Sequence, residues 1–205
     1  MTYYHPRFLF RRYELLKIVK KGNNFLEIGP GNLHLAEELL KYFNSGTLVD
    51  YNPSVKQVYD QLKGIHKQRL DLIISDFLMV KNLKKYSCII ACETLEHIEN
   101  ETSFLEKVHE MIEDQGQLIL SVPAKKKYFT IDDEIVGHYR RYEKQEISER
   151  LLENKFGSIN IISYGFPFVN LLRLGRIIIA KARDKNISRW NQEKKSQQSA
   201  AIIIN

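Results

Sequence analysis

Two glycines and three acidic residues carry the most legible chemistry in this sequence. In FLEIGPGNLHLAEELL an apolar run leads through Glu27, Gly29 and Gly31 into a helical pattern. Glycines there let the main chain pass close to a ligand and take angles closed to other residues, while the helix that follows offers unpaired N–H donors. Glu27 narrows the choice of ligand. A carboxylate suits a cationic amino group, whereas a dinucleotide pyrophosphate wants amides and no nearby anion, so the ligand is read as one carrying an ammonium. Asp50, followed by Tyr51, closes the next apolar run 21 residues after Gly29. A carboxylate at that place accepts two hydrogen bonds from ribose hydroxyls. Asp76 closes a third run beside Phe77, an acid and a ring suited to bind and cover the exocyclic amine of an adenine. Further on, CETLEHIEN gathers Glu93, Glu96 and His97, and DDEIVGHYRRYEKQEI gathers His138, Arg140 and Arg141 just ahead of a helix.

These residues need a frame that brings their run ends together. Leu9, Tyr13, Leu16 and Val19 recur at helical spacing, and KKGNN stops that helix. Strands are expected at Phe25 to Ile28, Thr47 to Val49, Leu70 to Ile74, Ser87 to Cys92 and Gln117 to Val122. Between them lie a helix capped by Asn32 and ending near Asn44 to Gly46, a second from Pro53 to Leu62, and a third over Ser103 to Ile112. Strands alternating with helices in this rhythm mean βαβ units and a mainly parallel sheet. Pro123 to Tyr142 is a long polar excursion, the kind of connection that carries function. A helix from Glu143 to Asn154 and a strand from Ile159 to Ser163 follow.

With these features in place, the chain resembles the class I S-adenosylmethionine-dependent methyltransferases over about Tyr4 to Leu174. The resemblance rests on Glu27 with the alternating Gly29 and Gly31, on Asp50, and on Asp76 with Phe77; Leu33 stands where a third glycine is common. It implies a Rossmann-like, doubly wound α/β fold with helices on both faces of the sheet, and S-adenosyl-L-methionine as cofactor. Glu27 and the glycine turn would face the methionine end, Asp50 the ribose, and Asp76 with Phe77 the adenine, with Tyr51 and Glu93 completing the cofactor set. The GHYRRY segment, the YYHPRFLFRRYELL start and the SVPA after the fifth strand resemble a large group of bacterial members of that class. A nicotinamide-dependent oxidoreductase is the competing reading, and Glu27 and the absent third glycine count against it.

The reacting centre is less determined. His97 and His138 are the candidate catalytic bases, although His97 also suits a purely structural place at a helix start. The ExxEH spacing resembles the metal-binding motif of small-RNA 2′-O-methyltransferases, where two carboxylates, a histidine and a later histidine hold a divalent ion; His138 would be the fourth ligand. LEHI-type sequences are widespread in methyltransferases without a metal, and no metal is assigned. Arg140 or Arg141 either grips an anionic group on the acceptor or ties the loop down through Glu143 or Asp132.

The chain has 205 residues, enough for one ordinary core, and a formal charge of +6, a modest tilt towards anionic partners. Cys88 and Cys92 share a strand face and read as buried thiols, with a reducing compartment. No secretory pattern opens the sequence and no apolar run approaches the ~20 residues that span a bilayer, so a cytoplasmic location is expected. Residues 1–185 are read as the methyltransferase domain and 186–205 as a polar, mobile tail. Residues 166–182 combine an apolar face with Arg173 and Arg176, the composition of a helix lying on an anionic membrane, although ordinary packing against the sheet explains the same residues and is the favoured reading. The fold class normally ends in two adjacent antiparallel strands, and AAIIIN is apolar enough for the last one but oddly placed. The expected acceptor is a small molecule, a saccharide or a lipid-linked molecule. RNA methylated with the help of a metal is the alternative, as is a non-catalytic cofactor-binding partner protein.

Overall fold

Each apolar run becomes a strand of one sheet. The computed structural model describes residues 6–81, 84–165 and 201–204. The strands are β1 (Gly22–Ile28), β2 (Phe43–Asp50), β3 (Leu70–Ile74), β4 (Tyr86–Cys92), β5 (Ile112–Pro123), β6 (Ile161–Ser163) and β7 (Ala201–Ile204), in the order β3-β2-β1-β4-β5-β7-β6. The first five run parallel. The helices are α1 (Pro6–Ile18), α2 (His34–Leu39), α3 (Val55–Asp60), α4 (Gly64–Lys67), α5 (Glu101–Met111), α6 (Ile131–Ile135) and α7 (Lys144–Glu153). This is the doubly wound α/β sheet that the alternation of strands and helices predicts. Among the described residues no helix is long and apolar enough to cross a membrane.

The two-residue period of the strands sorts their side chains into two cores. Leu26 and Ile28, Ile89 and Ala91, and Leu118, Leu120 and Val122 pack with Phe104, Leu105, Ile147 and Leu151 of α5 and α7. Phe25, Cys88, Ile90, Cys92 and Ile119 pack on the opposite face with Leu15 of α1 and Leu35 and Leu39 of α2. Both cysteines are buried and free, as expected.

Several elements depart from the sequence reading. Asn44 and Gly46 do not end a helix; they lie inside β2, and a Cβ on Gly46 would fall on the ring of Phe25. The glycine marks a close approach within the sheet, not a turn. Asn32 is not the helix cap, since Leu33 occupies that position with φ 60°. Helix α1 forms where expected but rolls onto a different face. Leu9 and Tyr13 are exposed, while Arg7 and Leu15 are buried and Arg11 is half-buried between them. That four-residue row points two arginines at the sheet, which an apolar-stripe argument cannot anticipate.

The C-terminal boundary also moves. Ala201–Ile204, assigned above to a tail, enters the sheet antiparallel between β5 and β6, with Leu120 opposite Ile204 on one side and Ile161 opposite Ile204 on the other. Its distance from β6 in sequence hid the pairing. The amphipathic stretch 166–182 lies outside the described residues.

Candidate active site

β1 pairs with β2 on one side and β4 on the other, and the connections leave these two neighbours in opposite directions. In open α/β sheets ligands bind outside the carboxyl ends of the strands at such a switch point. The glycine turn follows β1 there. Gly29 has φ 72°, and a Cβ on it would stand 2.8 Å from Thr94 Oγ1, whose hydroxyl donates to the Ile28 carbonyl at 3.0 Å. Gly31 has φ 55° with open space around its missing Cβ, so the turn presents bare main chain to the crevice. Leu33 keeps a left-handed conformation with its side chain fully buried.

Three carboxylates close the strands as the sequence suggests. Glu27 is 3% exposed, and burial pushes its carboxyl up to about 8, against the opposing pull of Arg11. Its Oε2 has no hydrogen-bond partner, a buried acceptor that calls for a donor. Asp50 accepts from Asn52 N at 2.9 Å and Gly31 N at 3.3 Å, which ties the β2 end to the glycine turn while each oxygen keeps a further lone-pair site. Asp76 is exposed and accepts from Leu78 N at 2.9 Å.

Phe77 corrects the sequence reading. Its ring is 4% exposed, packs against Phe104 with centroids 5.2 Å apart, and so cannot cover a ligand. Lys107 fixes the turn from α5 by donating to the carbonyls of Phe77, Leu78 and Val80. Beside Asp50, Tyr51 is 79% exposed and supplies the open aromatic surface instead.

Glu93 is occupied from within the chain. It sits at φ 57°, accepts from the Ser121 hydroxyl at 2.7 Å, and forms ion pairs with Arg7 and, at 4.0 Å, with Arg11. Ser121 in turn meets the buried Tyr164 hydroxyl at 2.9 Å. Desolvation lowers the Arg7 guanidinium to about 10. Arg7, Arg11, Ser121 and Tyr164 were absent from the sequence reading; the four-residue spacing of the two arginines was the one available signal.

The other half of the site joins the short helical turn Leu95–His97 to the 123–142 loop. Tyr139 N donates to the Glu96 carbonyl at 2.8 Å, and Tyr142 bonds back to Pro123 at 2.9 Å. Asp133, 2% exposed, takes Arg141 Nη2 at 2.6 Å and His138 Nδ1 at 3.0 Å, and these partners hold its carboxyl below the ordinary range. Arg140 pairs with Glu101 at 2.7 Å, and the Tyr142 hydroxyl also donates to Glu101. Both arginines therefore anchor the loop, Arg141 through Asp133 and the half-buried Arg140 through Glu101, rather than through the expected Asp132 or Glu143. His97 and His138 lie edge to face, 4.7 Å between centroids, beside the fully buried Glu96. Burial first, then His138, lowers His97 to about 4, which leaves it neutral at pH 7.

A family model described as a methyltransferase domain matches residues 1–154. The chain belongs to that family, and its fold and cofactor class are those of the class I S-adenosylmethionine-dependent methyltransferases. Among characterised sequences, N-methyltransferase 4 of Papaver somniferum is 28% identical over 120 residues. That match takes in 55% of this chain but only about a third, 33%, of the relative's length. Among solved structures, phosphoethanolamine N-methyltransferase 2 of Haemonchus contortus, in complex with S-adenosyl-L-methionine, is similar with a TM-score of 0.67 at 14% identity, covering 95% of this chain and 51% of that one. The N-methyltransferase NodS of Bradyrhizobium japonicum, in complex with S-adenosyl-L-homocysteine, has a TM-score of 0.58 at 17% identity, with 74% of each chain covered.

Proposed function

We propose that the protein transfers the methyl group of S-adenosylmethionine to a small acceptor molecule, a saccharide or lipid-linked saccharide among the first to try. The observation that carries the reading is Glu27, a buried carboxylate with an unpartnered oxygen, in one crevice with the glycine turn and Asp50. Glu27 receives the ammonium of the methionine end, the main chain at Gly29 and Gly31 lets the ligand approach, and Asp50 takes the ribose hydroxyls. Asp76 accepts from the adenine amine, and the exposed ring of Tyr51, beside Asp50, offers the aromatic surface. Bound there, the cofactor supplies an electrophilic sulfonium methyl. Aligning the acceptor lone pair with it and excluding water are the principal tasks left to the chain.

An amine acceptor need only be neutral, whereas a hydroxyl must lose its proton. A general base works best with a pKa near the working pH, so His97, held at about 4, is poorly matched to that role. His138, oriented by Asp133, is the better positioned of the two.

Transfer of a labelled methyl group to a panel of saccharides, lipid-linked saccharides, small amines, phenols and short RNAs tests the reading. Label on a small acceptor supports it. Label on RNA alone, lost at high salt, moves the acceptor to nucleic acid. Cofactor binding without transfer to any of them favours a non-catalytic partner.

A further inference from the structure

We propose that Glu96, His97 and His138 bind one divalent transition-metal ion at the mouth of the crevice. Their ligand atoms all lie within 4.8 Å of one another. Metal–ligand bonds of roughly 2.0–2.2 Å would draw them together by several tenths of an ångström.

Glu96 is the first reason. It is 0% exposed, and neither carboxylate oxygen has a hydrogen-bond partner. A buried carboxylate without donors is costly and asks for a cation. The nearest side-chain nitrogen is His138 Nε2, 3.8 Å from Oε1 and beyond hydrogen-bond reach. Arg7 forms its ion pair with Glu93.

The histidines supply the second, independent reason. His138 Nδ1 faces Asp133 Oδ1 at 3.0 Å, and His97 Nδ1 faces the Gly137 carbonyl at 3.1 Å. A carbonyl has no proton to give, and Asp133 is kept ionised by Arg141 and by Thr130 N at 2.9 Å. Each Nδ1 therefore carries the hydrogen, which leaves each Nε2 as a bare lone pair. A carboxylate or carbonyl behind an imidazole is how proteins fix the tautomer and direction of a metal-binding histidine.

Two imidazoles and one carboxylate suit zinc, manganese, iron(II) or cobalt better than magnesium or calcium, which prefer all-oxygen shells. Three protein ligands leave coordination positions open for water or a substrate oxygen. Glu93 is no part of this set, since Arg7 and Ser121 hold it. The role of the ion rests on the methyl-transfer reading, and it takes the place of His138 as a base, since the ion would hold the Nε2 lone pair. An acceptor hydroxyl coordinated there loses its proton to water more readily, and its oxygen lone pair then forms the new C–O bond as the sulfonium C–S pair returns to sulfur. The acceptor class that follows is a hydroxyl compound.

The test is titration of the chelator-treated full chain with Co²⁺, followed by its visible absorption, and with Zn²⁺ by calorimetry, with S-adenosylhomocysteine affinity measured on the same samples. The expected result is one ion per chain, with affinity at least about tenfold weaker in Glu96→Gln and in His138→Ala, and unchanged in His66→Ala. Glu96→Gln removes a buried charge at nearly constant shape, so the metal-free variant should melt no lower than the wild type. No saturable ion binding by wild-type protein that still binds S-adenosylhomocysteine would overturn the site, as would binding undiminished in both variants. Ion binding without S-adenosylhomocysteine binding would instead uphold the site and remove the methyl-transfer reading.

Discussion

At the ends of β1, β2 and β3 the polar groups are set by the main chain, whereas at the end of β4 and along the 123–142 loop they are set by one another. Asp50 and Asp76 each accept from an N–H two residues further on, and the glycine turn follows its strand directly. On the other side, Asp133 holds Arg141 and His138, Glu101 holds Arg140 and Tyr142, and Glu93 is reached from α1, 86 residues earlier in the chain. The first half is assembled from neighbours in sequence and leaves its acceptors open. The second is a buried ionic network whose failure is structural before it is catalytic, so equal substitutions in the two halves should produce unlike losses.

The largest loss is expected in the network. Asp133→Ala leaves Arg141 buried without its carboxylate, and breaking a buried pair in this way costs about 3–5 kcal/mol of folding stability. Urea unfolding measures it, and a loss below ~1 kcal/mol would mean that the network is ornamental. Asp50→Ala should do the reverse, weakening S-adenosylhomocysteine binding by roughly 1–3 kcal/mol, the scale of a hydrogen bond to a charged group, while the fold survives. Unchanged affinity would discard the ribose assignment.

A third contrast lies in pH. Glu27 sits near 8 in the folded chain, against about 4.3 for an unperturbed glutamate. Between those values the folded state binds one more proton than the unfolded state, so the stability of the ligand-free protein falls as pH rises through that window. An ammonium entering the site expels the proton. Calorimetry in buffers of different ionisation enthalpy should therefore detect proton release on binding near pH 7, and Glu27→Gln should abolish both effects. Smallest of all is Arg140→Ala. Its pair with Glu101 is partly solvated, and Glu101 keeps Arg150 at 2.9 Å, so a loss of about 1 kcal/mol or less is expected. A collapse of turnover at unchanged stability would return Arg140 to the acceptor.

The same contrast explains what could be read from the sequence. The five parallel strands and the β1, β2 and β3 carboxylates were legible because strand period and strand-end position are local properties. Phe77 was misplaced because an aromatic residue beside an acid has the same spacing whether its ring faces a ligand or α5. The inward face of α1 was hidden because Arg7 and Arg11 are buried by pairing, which hydrophobic periodicity does not register. Strand β7 was recognisable as apolar, but its partners are set by a chain crossing that no short motif records. The arginines of the GHYRRY segment fell to the anchoring role because the acids that hold them, Asp133 and Glu101, lie eight and 39 residues earlier in the chain.

The central claim is the cofactor class, and calorimetric titration of the purified protein with S-adenosylhomocysteine beside NAD tests it most directly. Micromolar binding of S-adenosylhomocysteine with no heat from NAD is the predicted result; binding of NAD, or of neither, would contradict it.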